Sequence, residues 1–133
     1  MVDVVGVDCP PTLSWLTLNA FAVSDKVLVV APGYFELDSI VQISKTIGAV
    51  RAVFNPTLEL AGFLFTMSDP TINSEVSLKL LRQSYTRQVL TTIIPRNTDL
   101  PDAHMSKQDI FAFNPRAKAT GAYEQLIREL FGL

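Results

Sequence analysis

Short, dense apolar runs alternate with longer stretches in which apolar positions recur every three or four residues. The runs are Val2 to Val7, Lys26 to Ala31 (KVLVVA), Leu58 to Thr66 (LELAGFLFT) and Val89 to Ile94 (VLTTII). Runs of that length bounded by turn residues predict buried strands. The periodic stretches predict helices. One is capped by Thr12 or Ser14 and runs to about Val23; one runs from Tyr34 to about Val53 with Leu37, Ile40, Val41, Ile47 and Val50 on its apolar face. A third begins at Ser74 and ends near Tyr85, and Leu100 to Ser106 predicts a short one. The closing helix spans Ala117 to Phe131, with Ala119, Ala122, Tyr123, Leu126, Ile127 and Leu130 as its core stripe; Ile110 to Phe113 is a brief apolar segment before it. Turns fall at Pro10-Pro11, Pro32-Gly33, Asn55-Pro56, Asp69 to Asn73 and Pro95.

Strands separated by helices pair in parallel through right-handed crossovers. The expected fold is therefore α/β, a three-layer αβα sandwich with a mainly parallel sheet. Ligands of such sheets bind beyond the carboxyl ends of the strands. Here those ends are Asp8 to Pro11, Ala31 to Tyr34, Thr66 to Asp69 and Pro95 to Asn97, which are expected to line one rim.

Composition narrows the picture. A length of 133 residues suits one domain with a real core, and 48% hydrophobic against 18% charged residues fits strands covered on both faces. The net charge of −2 argues against a strongly basic nucleic-acid-binding domain. The charge is uneven, however. Residues 1–66 hold three basic residues (Lys26, Lys45, Arg51) against six acidic ones, and residues 67–133 hold eight against seven, so any contact with a polyanion belongs to the C-terminal half. Cys9 is the sole cysteine, which excludes an intrachain disulfide and points to the cytoplasm. Asp3 and Asp8 without a basic stretch do not read as a signal peptide, and no apolar run reaches bilayer length.

The first run ends in Asp8 and is followed at once by Cys9, Pro10 and Pro11. A strand that delivers one carboxylate to the rim suits a magnesium-assisting aspartate, although a lone aspartate after a strand is more commonly a turn former or cap. No G-x-x-x-x-G-K-[ST] occurs in the 133 residues. Cys9 reads as a small buried residue rather than a nucleophile, because no sequence neighbour would lower its pKa. His104, the single histidine, reads as structural or superficial, and Asp99 and Asp102 as helix caps. Arg96, Lys107, Arg116 and Lys118 fall in connecting segments of the same half and form either a phosphate-binding patch or a solvated surface. Trp15, Phe21, Tyr34 and Phe35 flank the first rim loops, with core packing as their default role.

Five strings in order carry a resemblance. They are Asp8-Cys9-Pro10-Pro11-Thr12-Leu13 with Thr17-Leu18-Asn19-Ala20; Val27 to Val30 with Tyr34-Phe35 and Leu37; Gly62 to Asp69 (GFLFTMSD); Ile93-Ile94-Pro95-Arg96-Asn97; and Asn114-Pro115-Arg116-Ala117-Lys118 with Ala122-Tyr123. Together they resemble the second half of ParA-type partition ATPases, the deviant-Walker group that includes the MinD-type proteins, over nearly all 133 residues. The resemblance implies a single partial nucleotide-binding domain over 1–133, the C-terminal half of a P-loop NTPase-like domain that starts at the Walker B strand. It implies that Asp8 is the Walker B aspartate, holding magnesium through a water. Cys9, Pro10 and Pro11 would form the γ-phosphate-sensing switch, and Thr66, Met67, Pro95 and Asn97 would lie near the adenine. ATP and magnesium are the implied cofactors. The implied partners are a centromere-binding protein, non-specific DNA through Arg96, Lys107, Arg116 and Lys118, and either self-association or a complementing P-loop-containing half. The implied role is chromosome or plasmid segregation, inactive in the isolated chain for want of the phosphate loop. The alternatives are a non-catalytic interaction module or truncated relative that has lost ATP hydrolysis, and an unrelated α/β enzyme using a rim carboxylate.

Overall fold

The alternation of strands and helices read from the sequence is present in the computed structural model, which describes residues 3–10, 12–33 and 37–133. The elements are α1 (Trp15–Val23), β1 (Lys26–Pro32), α2 (Leu37–Val53), β2 (Glu59–Ser68), α3 (Ile72–Ser84), β3 (Val89–Pro95), α4 (Asp99–Met105), α5 (Ile110–Phe113) and α6 (Lys118–Phe131). The expected helix start at Tyr34 and Phe35, and the expected roles of Val2 and Pro11, lie outside the described residues.

The strands form one parallel sheet in the order β1-β2-β3, with helices flanking it. Central β2 carries the longest continuous buried run, Gly62 to Leu64 and on to Phe65, while β1 alternates: Val27, Val29 and Ala31 are buried and Val30 is exposed. That alternation means only one face of β1 is well covered, so it is less enclosed than its apolar run suggests. Against β3, β2 pairs Phe63 with Val89, Phe65 with Ile93 and Ser68 with Pro95, with a register irregularity in each interval. Gly62 lies beside the first. Its φ is +148°, and a Cβ there would stand 2.9 Å from the Gln88 carbonyl oxygen, so only glycine fits. Prolines end two strands, Pro32 in β1 and Pro95 in β3, because neither can donate to a further rung.

The strand expected over Val2 to Val7 does not form. Residues 3–7 are unpaired, and Val4, Val5 and Val7 are 57%, 77% and 57% exposed. Apolar β-branched residues favour extended backbone, but a strand exists only where a neighbour supplies the other half of each hydrogen bond, and none is present for this segment among the described residues.

The chain divides into two compact units, Met1–Val27 with Leu37–Leu60, and Leu28–Glu36 with Ala61–Leu133. In the first, α1 packs against α2. Ile40, Ile47, Val50 and Phe21 are buried as expected, whereas Val41 faces solvent and Trp15 is 82% exposed, contrary to the core role expected of it. Asn55 is the polar fastener of this unit: its buried amide donates to the carbonyls of Phe21 (3.0 Å) and Ser24 (2.7 Å), satisfying acceptors left free at the end of α1. In the second unit, Leu64, Ile94 and Leu126 bring α6 onto the sheet, with Leu28, Leu90, Ala122, Tyr123 and Leu130 around them. A neighbouring cluster of Ala103, Ile110, Ala117 and Ala119 joins α4, α5 and α6. Ile127, expected in the α6 stripe, is exposed. Among the described residues no helix is long and apolar enough to cross a membrane.

Candidate functional site

The carboxyl ends of the three strands meet in the second unit. Gly33 follows β1 and lies so close to β2 that a Cβ would stand 2.6 Å from the Met67 carbonyl oxygen and 3.4 Å from Ser74 Oγ. Met67 adopts φ 53°, a left-handed conformation that a non-glycine residue rarely takes, and its side chain is half exposed. Backbone strain of this kind collects at functional loops. Next to it, Asp69 opens the turn into α3. Its backbone N–H donates to the buried Ser74 Oγ (3.4 Å), its carboxylate accepts from Thr71 Oγ1 (2.5 Å), and Thr71 caps α3 by accepting from the Ser74 N–H (3.3 Å). Arg96 fastens the third strand end to the second: its N–H donates to the Ser68 carbonyl (2.7 Å), and its Nε lies 3.7 Å from Asp69 Oδ2.

Beyond Pro95 a polar chain continues. Asn97 Oδ1 accepts from the Asp99 N–H (2.7 Å), and Asp99 Oδ2 accepts from Asn114 Nδ2 (3.1 Å). Asn114 in turn accepts from the Arg116 N–H at its Oδ1 (3.1 Å) and from Thr120 Oγ1 at its backbone oxygen (2.6 Å). Asn97 is thus held by its oxygen, and its Nδ2 has no hydrogen bond among the described residues. A fixed amide donor next to two strand ends can read an acceptor on a planar ring. Asp99 is a cross-link rather than the expected cap.

The predicted residues divide between the two units. Thr66, Met67, Pro95, Arg96 and Asn97 come together at this rim. Lys107 ends α4 at φ 53°, and Arg116 and Lys118 flank the start of α6; all three are exposed, and none is in an ion pair among the described residues. Asp8, Cys9 and Pro10 belong to the first unit; Asp8 and Pro10 are exposed, and Cys9 is half-buried with Sγ 3.9 Å from the Val7 oxygen. His104 is exposed, as expected. Sequence reasoning missed Ser74, Thr120 and Glu129. A threonine on the buried face of α6 was the available signal for Thr120, because a hydroxyl there needs a partner. Glu129 clamps β3 to α6, with Oε1 on the Thr91 N–H (2.6 Å) and hydroxyl (2.9 Å) and Oε2 on the Thr92 N–H (2.8 Å). Burial acts to raise its pKa, but the hydrogen bonds from Thr92 and Thr91 together outweigh it and hold the carboxyl below its usual value.

The donor set limits what could bind. Among the described residues no three His, Cys, Asp or Glu side chains gather as a metal cage. Magnesium on a nucleotide does not need one, since one or two carboxylates, waters and phosphates complete its shell. In the first unit the exposed Asp8 carboxylate has the chemistry for that limited part.

Known proteins give the context. A family model described as an AAA domain matches residues 1–60. The chromosome partitioning protein ParA of Myxococcus xanthus is 35% identical over 130 residues, which is 96% of this chain and 46% of that protein. The chromosome-partitioning ATPase Soj of Thermus thermophilus is 37% identical over 130 residues, 96% of this chain and 52% of that protein. The crystal structure of cobyrinic acid a,c-diamide synthase from Mycobacterium smegmatis with bound ADP and magnesium superposes with a TM-score of 0.70 at 29% identity, covering 91% of this chain and 44% of that one. The chain spans about half the length of the curated relatives it matches.

Proposed function

From the premise that this chain belongs with the ParA-type partition ATPases, we propose that it supplies the base-binding and DNA-contacting half of such a machine. The observation that carries the reading is the rim itself: Asn97, held by the Asp99 N–H, presents a free amide beside the strained Met67 turn. In this reading Thr66, Met67, Pro95 and Asn97 hold the adenine of ATP. Asp8 serves magnesium through a water, and Cys9, Pro10 and Pro11 follow the γ-phosphate. Bound magnesium would supply charge neutralisation at the phosphates. Arg96, Lys107, Arg116 and Lys118 contact DNA phosphates, which makes binding sequence-independent and steeply salt-dependent. The related structure with ADP and magnesium supports the cofactor assignment.

Phosphoryl transfer depends on backbone amides and a lysine cradling the phosphates, and these 133 residues contain no such loop. A complementing P-loop-containing half, and a centromere-binding partner as in the family, complete the proposed assembly. The test is a titration of fluorescently labelled ATP with magnesium into the 133-residue chain, with phosphate release followed in parallel. Asn97→Ala is expected to weaken binding about 5- to 150-fold, the effect of losing one polar contact of ~1–3 kcal/mol, and phosphate release should stay at background. Unchanged affinity in Asn97→Ala, or turnover that vanishes in Asp8→Ala, overturns the proposal.

A further inference from the structure

The hydrogen-bond chain that orients Asn97 does not stop at the rim. Asn97 accepts from the Asp99 N–H, Asp99 accepts from the Asn114 amide, and Asn114 holds the first turn of α6 through the Arg116 N–H and the Thr120 hydroxyl. The Ala117 N–H also donates to the Asn114 oxygen (3.1 Å). One side chain therefore joins the loop after β3 to the turn that carries Arg116 and Lys118. Asn114 uses both ends of its amide and its backbone oxygen, and the Asp99 contact is charge-assisted, hence stronger than a neutral one. Thr120 is buried, so its hydroxyl has no solvent alternative.

We propose that Asp99 and Asn114 are positioning residues that couple the purine-reading amide of Asn97 to the basic turn Arg116–Lys118. A planar base that engages Asn97 Nδ2 fixes the Asn97 side chain, which tightens the Asp99 turn, which fixes Asn114 and the start of α6. Coupling of this kind is reciprocal, so a polyanion held by Arg116 and Lys118 strengthens purine binding by the same factor. The inference rests on the reading of Asn97 as the base contact, and the experiment separates the two.

Amide hydrogen exchange of the full chain provides the ligand-free arm. Asn97→Ala touches neither Arg116 nor Ala117, yet it is expected to speed exchange of the Arg116 amide about threefold, a fraction of one hydrogen bond's worth. The Thr91 amide, held by Glu129, is the control for global loosening and should not change. In an Asn114→Ala background the Asn97 substitution should add nothing further. Asp99→Asn keeps an acceptor for the Asn114 amide and should preserve the coupling, whereas Asp99→Ala should abolish it. An Arg116 amide indifferent to Asn97→Ala, or equally responsive with and without Asn114, overturns the relay. The ligand arm uses adenosine and reads the Asn97 side-chain amide resonance. If that resonance fails to move while the ligand-free coupling holds, the base-contact reading is wrong and the relay stands as a mechanical link.

Discussion

Lys107 adopts a backbone conformation that suits the fold badly while its side chain stays open to solvent. It closes α4 in the left-handed conformation, with its N–H on the His104 oxygen and the Gln108 N–H on the Ala103 oxygen, both at 3.0 Å. That is the helix-ending arrangement in which glycine is favoured, because a side chain there costs about 1–2 kcal/mol. Lys107→Gly should therefore raise the denaturant midpoint by the equivalent of about 1 kcal/mol and, on the proposed function, weaken DNA binding in a low-salt mobility assay. A variant that is less stable would show that the lysine stem contributes packing. Pro95 and the Pro32-Gly33 turn are legible in the sequence because each acts through its own local backbone, whereas the role of Asn97 enters only through the resemblance. Ser74, Thr120 and Glu129 are not legible, because a hydroxyl or carboxylate acquires its role only from a partner that the fold brings to it, as Thr91 is brought to Glu129.

At the scale of elements, the expected helices match to within a few residues, since periodicity and caps are local, whereas Ile110–Phe113, expected only as a brief apolar segment, is the short helix α5, capped by Asp109. The apolar segment before Asp8 was read as a strand and is not one, because pairing belongs to neighbours rather than to the run. The α6–β3 contact makes the same point in reverse. Glu129 caps two successive amides of an edge strand, and its folded-state pKa lies below the ordinary carboxylate value. A depressed carboxyl contributes stability that is fully present above its unfolded pKa and is lost as pH falls through the lower folded value. Glu129→Gln should thus be less stable than the parent at neutral pH, and the gap should close in the acid range below the usual carboxylate pKa. Denaturant melts of both chains across that range check it; a gap independent of pH would mean the charge of the clamp is irrelevant.

For the molecule as a whole, apolar surface is unevenly covered. Val4, Val5, Val7, Trp15, Leu16 and Val23 are exposed in the first unit, and α1 is apolar on nearly every side, a composition that suits a covered helix. With a net charge of only −2, little repulsion opposes association. Light scattering across a concentration series should show the 133-residue chain growing in mass, and Val5→Lys should suppress that growth; a monomer at every concentration, unaltered by the substitution, would rule out this surface. The order β1-β2-β3 also fixes how the chain reaches its final state. Each rung of the sheet joins strands separated by a whole helix, α2 in one case and α3 in the other. Among the described residues no hairpin is available to nucleate the sheet, so its first contacts must close long loops before any ladder energy is returned. Folding then belongs to the slow regime, and throughout that delay the apolar segment around Val5 stands open to other chains, making concentration during synthesis as decisive for yield as final stability.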